Sequence, residues 1–233
     1  NHHVIKNLKI SDQSANVGLF ARTYGAVIQE LGIENATISA PKSKAAGIFI
    51  GYATASYIEN CYITDSEITG NNVGSFIGTA INRNINPSVI NNSYSTAKIT
   101  SGTSAGGIIG TCEGIEIENI YFSGSIDAAT ICGGITATTK GENPIVACLV
   151  VSEQLKGEQT GKIVGSGQGE ISDCYATEGE ELFRFNGHDG QLFSPSDSEI
   201  NIKNPAFYEN YLYWGSKFWT FREGDFPVLH WQE

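Results

Sequence analysis

A five-residue phrase, Gly-x-apolar-apolar-Gly or a close variant, recurs six times and constrains the fold more than any other feature of the chain. It reads Val17-Gly18-Leu19-Phe20-Ala21, Gly47-Ile48-Phe49-Ile50-Gly51, Gly74-Ser75-Phe76-Ile77-Gly78, Gly106-Gly107-Ile108-Ile109-Gly110, Gly133-Gly134-Ile135-Thr136-Ala137 and Gly161-Lys162-Ile163-Val164-Gly165. The leading glycines are 29, 27, 32, 27 and 28 residues apart. A fixed period in this range marks stacked repeats, each too small to bury its own apolar side alone.

A second phrase keeps the same period. It is an apolar-x-Asn segment: Ile33-Glu34-Asn35, Ile58-Glu59-Asn60, Ile90-Asn91-Asn92 and Ile117-Glu118-Asn119, drifting to Val146-Ala147-Cys148 and Ile171-Ser172-Asp173. Each unit also holds short runs rich in Ile, Val, Thr and Tyr between turn residues, which read as strands, and long helical periodicity is missing. Short strands and turns within about 28 residues make one coil of a parallel β-helix. The expected fold is therefore all-β: a right-handed parallel β-helix of about six coils. At the ordinary strand spacing of about 4.8 Å the rod is on the order of 30 Å long.

This winding assigns roles to positions. The leading glycines are expected at tight corners, where a positive φ costs glycine nothing. Asn35, Asn60, Asn92 and Asn119 are expected to stack as an internal ladder that ends at Asp173. The residue after the Asn faces the core. The next one, Thr37, Tyr62, Tyr94, Tyr121, Leu149 or Tyr175, points the other way by alternation. A column of outward tyrosines is a sugar-stacking surface if open to solvent and a stacked scaffold column if not.

The chain has 233 residues, a net charge of −11 and a low charged content of 17%. Without basic runs it is a poor partner for nucleic acid or an anionic membrane surface. No apolar stretch approaches the roughly 18 residues of a membrane-spanning helix, and no secretion signal is present. The opening Asn1-His2-His3-Val4-Ile5-Lys6-Asn7-Leu8 already reads as repeat, so a fragment of a longer polypeptide is expected, with a signal and earlier coils upstream. Cys61, Cys112, Cys132, Cys148 and Cys174 are odd in number and phased with the repeat, which favours buried thiols over a disulfide framework. Cys148 and Cys174 share a rung, so a bridge between them stays open.

From about Glu178 the period dissolves. Residues 178–233 hold 13 of the 24 aromatics and carry 10 acidic against 4 basic residues, net −6. The organisation expected is repeats over 1–177 and an aromatic-rich cap over 178–233, packed on the last coils to cover open strand edges. Glu178 to Phe185 reads as a short helix and Gly187 to Gly190 as a turn.

The Gly-x-apolar-apolar-Gly phrase followed by Ile58-Glu59-Asn60-Cys61-Tyr62 resembles the GLUG-motif repeats of bacterial surface proteins. The opening Val4-Ile5-Lys6-Asn7-Leu8 through Val17-Gly18-Leu19-Phe20 is similar to the way such regions begin. The stretch Trp214-Gly215-Ser216-Lys217-Phe218-Trp219 through Gly224-Asp225-Phe226-Pro227-Val228-Leu229 resembles their last coil. The likeness covers essentially the whole chain. It implies a right-handed parallel β-helix, secretion, and a surface or binding role; such regions occur in adhesin-like proteins, in Bacteroides-type surface proteins and upstream of the catalytic domain of IgA-cleaving metallopeptidases. Arg22 and Ala137, where a closing Gly is expected, and the missing Asn of the fifth unit are departures at which coils would bulge.

Chemistry is sparse. His2, His3, His188 and His230 lack His-Glu-x-x-His spacing, and no Gly-x-Ser-x-Gly elbow, phosphate loop or calcium nonapeptide is present. No cofactor and no metal site is expected. A polysaccharide lyase or hydrolase needs two or three carboxylates on neighbouring coils, one with a raised pKa. Glu34, Glu59 and Glu118, each preceding the Asn, are the candidates, with Asp65 and Glu67 as a second acidic spot. The expected function is a noncatalytic, extracellular, adhesin-like module that binds a host or bacterial surface glycan or protein through Tyr62, Tyr94 and Tyr121. The rivals are the glycan-cleaving enzyme and a passive spacer.

Overall fold

The computed structural model describes residues 2–82, 88–152, 154–178, 181–187, 192–195 and 201–233. Short strands wind through three sheets of twelve, ten and six strands. Each turn runs from the first sheet to the second, then to the third. One full turn is Ser88–Ser95, Lys98–Gly106 and Ile109–Glu113, and the next is Ile115–Phe122, then Ser125–Ala128 with Ile131–Gly133, then Thr136–Lys140. Corresponding strands pair in parallel across successive turns. The expected β-solenoid of about six turns is what the chain forms.

Register explains the sequence period. On the first sheet Ile28, Ile58, Ile90, Ile117, Ile145 and Ile171 lie opposite one another in turn, and on the second Ile10, Ile38, Ile68, Ile99, Ile126 and Leu155 do so. Both columns face inward, and Ile58, Ile90, Ile117 and Ile145 have no exposed surface. Each fully buried isoleucine contributes about 1.5–3 kcal/mol. The stacked Phe49 and Phe76 rings, 5.0 Å apart, fill a third corner.

The corners do not divide as expected. None of the six leading glycines has a positive φ; Asn7, Asn35, Asn60, Asn92 and Asn119 do, at 43–60°. Asparagine tolerates the left-handed region better than other side-chain-bearing residues, which is why the bend selects it. The leading glycines answer a packing demand instead. A Cβ on Gly74 would lie 2.2 Å from the Ile77 carbonyl oxygen and 2.6 Å from the Gly110 nitrogen, with backbone on both sides.

There are also two left-handed ladders, not one. Lys6 pairs with Glu34 and Glu34 with Thr64, which aligns Asn7, Asn35 and Asp65. Gln29, Glu59, Asn91, Glu118, Val146 and Ser172 pair in sequence, which aligns Glu30, Asn60, Asn92, Asn119, Ala147 and Asp173. Asn35 therefore does not stack on Asn60, whereas Asn60 and Asn92 are neighbours. Side-chain bonds link Asn35 to Asn7 at 2.6 Å and Asn119 to Asn92 at 3.4 Å. Asn35 is exposed and Asn60 and Asn119 are half-buried, whereas Asn92 is buried.

The expected bulges are absent at Arg22 and Ala137. Phe20 and Arg22 pair with Ile50 and Tyr52, so Ala21 occupies the closing position, and Thr136 and Thr138 keep register around Ala137. Ala147 takes the missing Asn's conformation at φ 52°. Among the parallel pairs of the described residues the register shift falls instead between Gly70 and Asn72. All five cysteines are free and buried. Cys148 and Cys174 share a rung, yet each thiol donates to a carbonyl, of Val146 and Ile145, at 3.3 Å.

The end of the repeat is a hairpin. Glu170–Glu178 is parallel to the preceding turn and antiparallel to Glu181–Gly187, which replaces the helix expected there. The turn expected over Gly187 to Gly190 lies largely outside the described residues. Antiparallel pairing stops further parallel stacking on the first sheet. Residues 201–233 then turn back along the outside of that sheet. They form one short helix, Pro205–Asn210, capped by the Asn204 side chain, which accepts from the Ala206 amide at 2.9 Å.

Candidate functional site

The tyrosine column is the surface to which the repeat pointed. Gly32, Tyr62, Tyr94, Tyr121, Leu149 and Tyr175 lie opposite one another on the outer face of the first sheet. Tyr62 and Tyr94 stack with ring centres 5.5 Å apart, and Tyr94 and Tyr121 at 4.6 Å. These side chains do point away from the core, as alternation along the strand requires. Thr37, however, belongs to another sheet, and Gly32 leaves space that the Tyr62 ring occupies.

The column is not open to solvent. Tyr62, Tyr94 and Tyr121 are only 3%, 4% and 3% exposed. The returning segment covers them as a strap: Trp231 packs on Tyr62, Trp219 on Tyr94 and Tyr121, and Trp214 and Phe226 on Tyr121. Polar atoms fix its path. The Trp214 indole donates to the Ala147 carbonyl and the Trp231 indole to the Asn60 carbonyl, both at 2.9 Å. Ala147 and Asn60 are left-handed corners of the same ladder. The Tyr121 hydroxyl donates to the Pro227 carbonyl at 2.9 Å, and Gln232 bonds the Tyr94 hydroxyl. The proposed sugar-stacking face is thus occupied by the chain itself. The C-terminal segment covers a flank from the last turn to the early ones, where the sequence suggested a lid on the last coils.

Electrostatics agree with this burial. Burial pushes the Tyr94 hydroxyl up to about 12 and the Tyr121 hydroxyl well above its ordinary range. The Tyr62 hydroxyl is raised too, first by burial and then by its bond to Glu34 at 2.6 Å.

The three acids do not form one cluster. Glu59 lies opposite Gln29 and Asn91, and Asn91 opposite Glu118, so these share a row. Glu34 is on a different row, opposite Lys6 and Thr64. Its carboxylate pairs with Lys6 at 2.8 Å and accepts from Tyr62, and both bonds lower its pKa, Lys6 the more. A general acid needs the opposite shift. Glu59 accepts from Gln29 at 2.9 Å, and Asn91 donates to the Tyr57 hydroxyl at 3.2 Å. Of the second acidic spot, Glu67 lies across from Lys98 at 3.9 Å, while Asp65 sits at a left-handed corner.

Two concave features lie where the strap ends. A cleft of about 370 Å³ is lined by His2, Glu30, Asn60, Lys217, Trp231 and Glu233. The His2 ring stacks on Trp231 at 5.5 Å and its Nε2 lies 3.4 Å from Glu30. A neighbouring hollow of about 430 Å³ adds Val27, Gln29 and Glu59 to Glu30 and Asn60. Among the described residues no group of three or more His, Cys, Asp or Glu is placed to hold a metal ion. Nor, among the described residues, is any helix long and apolar enough to cross a membrane. Repeat arithmetic missed this cleft because half of it comes from the aperiodic strap; Trp231, one of three tryptophans, was its signal.

No family model matches the chain. No curated protein matches it either. A solved structure does: a protein of Bacteroides ovatus described as a putative immunoglobulin A1 protease, with a TM-score of 0.68 and 23% identity, covering 100% of this chain and 76% of that one. At that identity the likeness establishes the β-solenoid architecture.

Proposed function

We propose that this chain is a noncatalytic, extracellular β-solenoid module of a bacterial surface protein, adhesin-like in binding a glycan or protein. The observation that carries this reading is the dispersal of its acids. Glu34 stands apart from Glu59 and Glu118 and is held charged by Lys6, so the three do not converge on one site with Glu34 as proton donor. The strap supports a mechanical role: it bonds corners of two distant turns and stiffens the rod that would display a ligand site. The likeness to GLUG-motif repeats and the Bacteroides ovatus fold neighbour favour a secreted protein, of which this chain is a part. Binding is assigned to surfaces the strap leaves open, including the cleft beside Trp231, and no longer to the Tyr62, Tyr94 and Tyr121 column.

The test uses the purified chain on a glycan array and on immobilised immunoglobulin A1. Saturable binding with both ligands left intact is the expected result. Release of new reducing ends or antibody fragments, abolished by Glu59→Gln, overturns the reading in favour of an enzyme. Binding to nothing on either surface favours the passive spacer.

A further inference from the structure

At the far end of the strap, one residue is held against its own backbone preference. Tyr213 has φ 56°, and among the described residues it is the one Tyr, Phe or Trp with a positive φ. The bend itself has a structural reason: it follows the helix Pro205–Asn210 and turns the chain so that Trp214 reaches the Ala147 carbonyl. Such a bend asks for Gly or Asn, because a bulky side chain in the left-handed region is sterically costly. Packing does not repay that cost, since Tyr213 is 74% exposed. A strained residue that gives nothing to the core points to function.

A second exposed ring lies two residues earlier on the same strap. Tyr211, 40% exposed, stacks on Phe207 at 5.9 Å and meets Tyr175 edge-on at 6.4 Å. Arg184 is the cross-strand partner of Tyr175 and is ion-paired with Asp173. Asp173 is itself anchored where its amide donates to the Asn186 side chain at 2.7 Å. The Asp173 carboxylate beside it raises the Arg184 pKa. Exposed aromatic faces beside a fixed guanidinium–carboxylate pair match a pyranose ring, which offers a C–H face for stacking and hydroxyls that both accept and donate. Because Arg184 is already neutralised and the chain carries −11, the surface suits an uncharged sugar better than an acidic one.

We propose that Tyr213, Tyr211 and the Arg184–Asp173 pair form a binding subsite for a neutral glycan, an inference that rests on the binding-module reading and gives it a location. Stability and binding should separate at Tyr213. In the full chain Tyr213→Gly is expected to leave the melting temperature unchanged or raise it, while weakening retention of neutral oligosaccharides on an array at least about tenfold, the scale of one lost ring contact. Tyr213→Phe keeps the ring and should bind like the parent. The site is overturned if Tyr213→Gly binds neutral glycans like the parent, if it melts lower with binding lost in parallel, or if the parent binds only sialylated or sulfated glycans. A parent that binds no glycan but still binds immobilised immunoglobulin A1 overturns the site and leaves the module reading standing.

Discussion

The molecule has two cores, built on different terms. The inner one, inside the coil, is a stack of Ile, Ala, Cys and Phe in which each residue meets its copy from the next turn. The outer one lies between the first sheet and the strap, where Tyr62, Tyr94, Tyr121 and Tyr175 meet Phe207, Tyr208, Trp214 and Trp219. In the inner core hydrogen-bonded strands fix the spacing and the side chains need only be apolar. In the outer core no backbone ladder joins the two sides, so aromatic packing and a few indole and hydroxyl bonds must hold them. The inner core should therefore tolerate exchanges between similar apolar residues, and the outer one should depend on a few large rings.

Trp214 gives the sharpest way to break that comparison. It is 2% exposed, stacks on Trp219 at 4.6 Å and donates to the Ala147 carbonyl. Trp214→Ala is expected to cost about 3–5 kcal/mol in denaturant unfolding, whereas Ile117→Val in the inner core should cost about 0.5–1.5. Equal losses would mean that the strap is an ornament on a self-sufficient rod.

The second test is alkaline. A tyrosine whose folded pKa is raised binds its proton longer in the native state, so its contribution is complete below its ordinary value of 10.0 and is lost as pH climbs through the folded one. For Tyr94, raised to about 12, the loss is on the order of 2–3 kcal/mol by pH 12. Tyr121 and Tyr208 are shifted in the same direction by burial. Stability should fall between pH 10 and 12, with tyrosinate absorbance at 295 nm appearing together with unfolding. Tyrosinate that forms with loss of the near-ultraviolet circular dichroism, while the far-ultraviolet strand signal persists, would show the strap lifting off an intact solenoid.

The inner core has its own weak point. Gly74→Ala places a methyl group against the Ile77 carbonyl and the Gly110 amide and is expected to cost about 1–3 kcal/mol through overpacking. Asn119→Gly, at a corner with φ 54°, should be nearly neutral. If the two costs were reversed, the leading glycines would be serving backbone conformation and not close approach.

The sequence disclosed the inner core because a solenoid repeats its environment: whatever one turn needs at a position, the next needs too. Ile58, Ile90 and Ile117 could be aligned without coordinates. Two steps of that alignment slipped. The phrase Ile-Glu-Asn puts Asn35 on the ladder of Asn60, yet an early turn bears two left-handed corners, at Glu30 and Asn35, and the phrase fits both. Glu34 moved to the wrong row with it. The outer core was hidden for another reason. Tyr62, Tyr94 and Tyr121 point outward by alternation, and alternation cannot say what a distant, aperiodic segment will lay over them. The excess of rings beyond residue 178 showed that something needed covering, and the choice of a flank over an end depended on Trp231 reaching Asn60 across the length of the chain.

The smallest expected effect lies at the margin between the two cores. Glu34 accepts from the Tyr62 hydroxyl under the strap and pairs with Lys6 on the first turn. Its pKa is lowered, so its contribution is present above its ordinary value of 4.5 and is lost as pH falls through that value and below. Because the carboxylate is partly solvated, the pair is worth only a few tenths of a kcal/mol near neutrality. Glu34→Gln keeps an acceptor for Tyr62 and should lower stability by that small amount at pH 7, with the difference shrinking as the carboxylate is protonated in acid. A loss of several kcal/mol would place Glu34 inside the energetics of the strap. A gain would show that the carboxylate was held there at a cost, as a functional group would be.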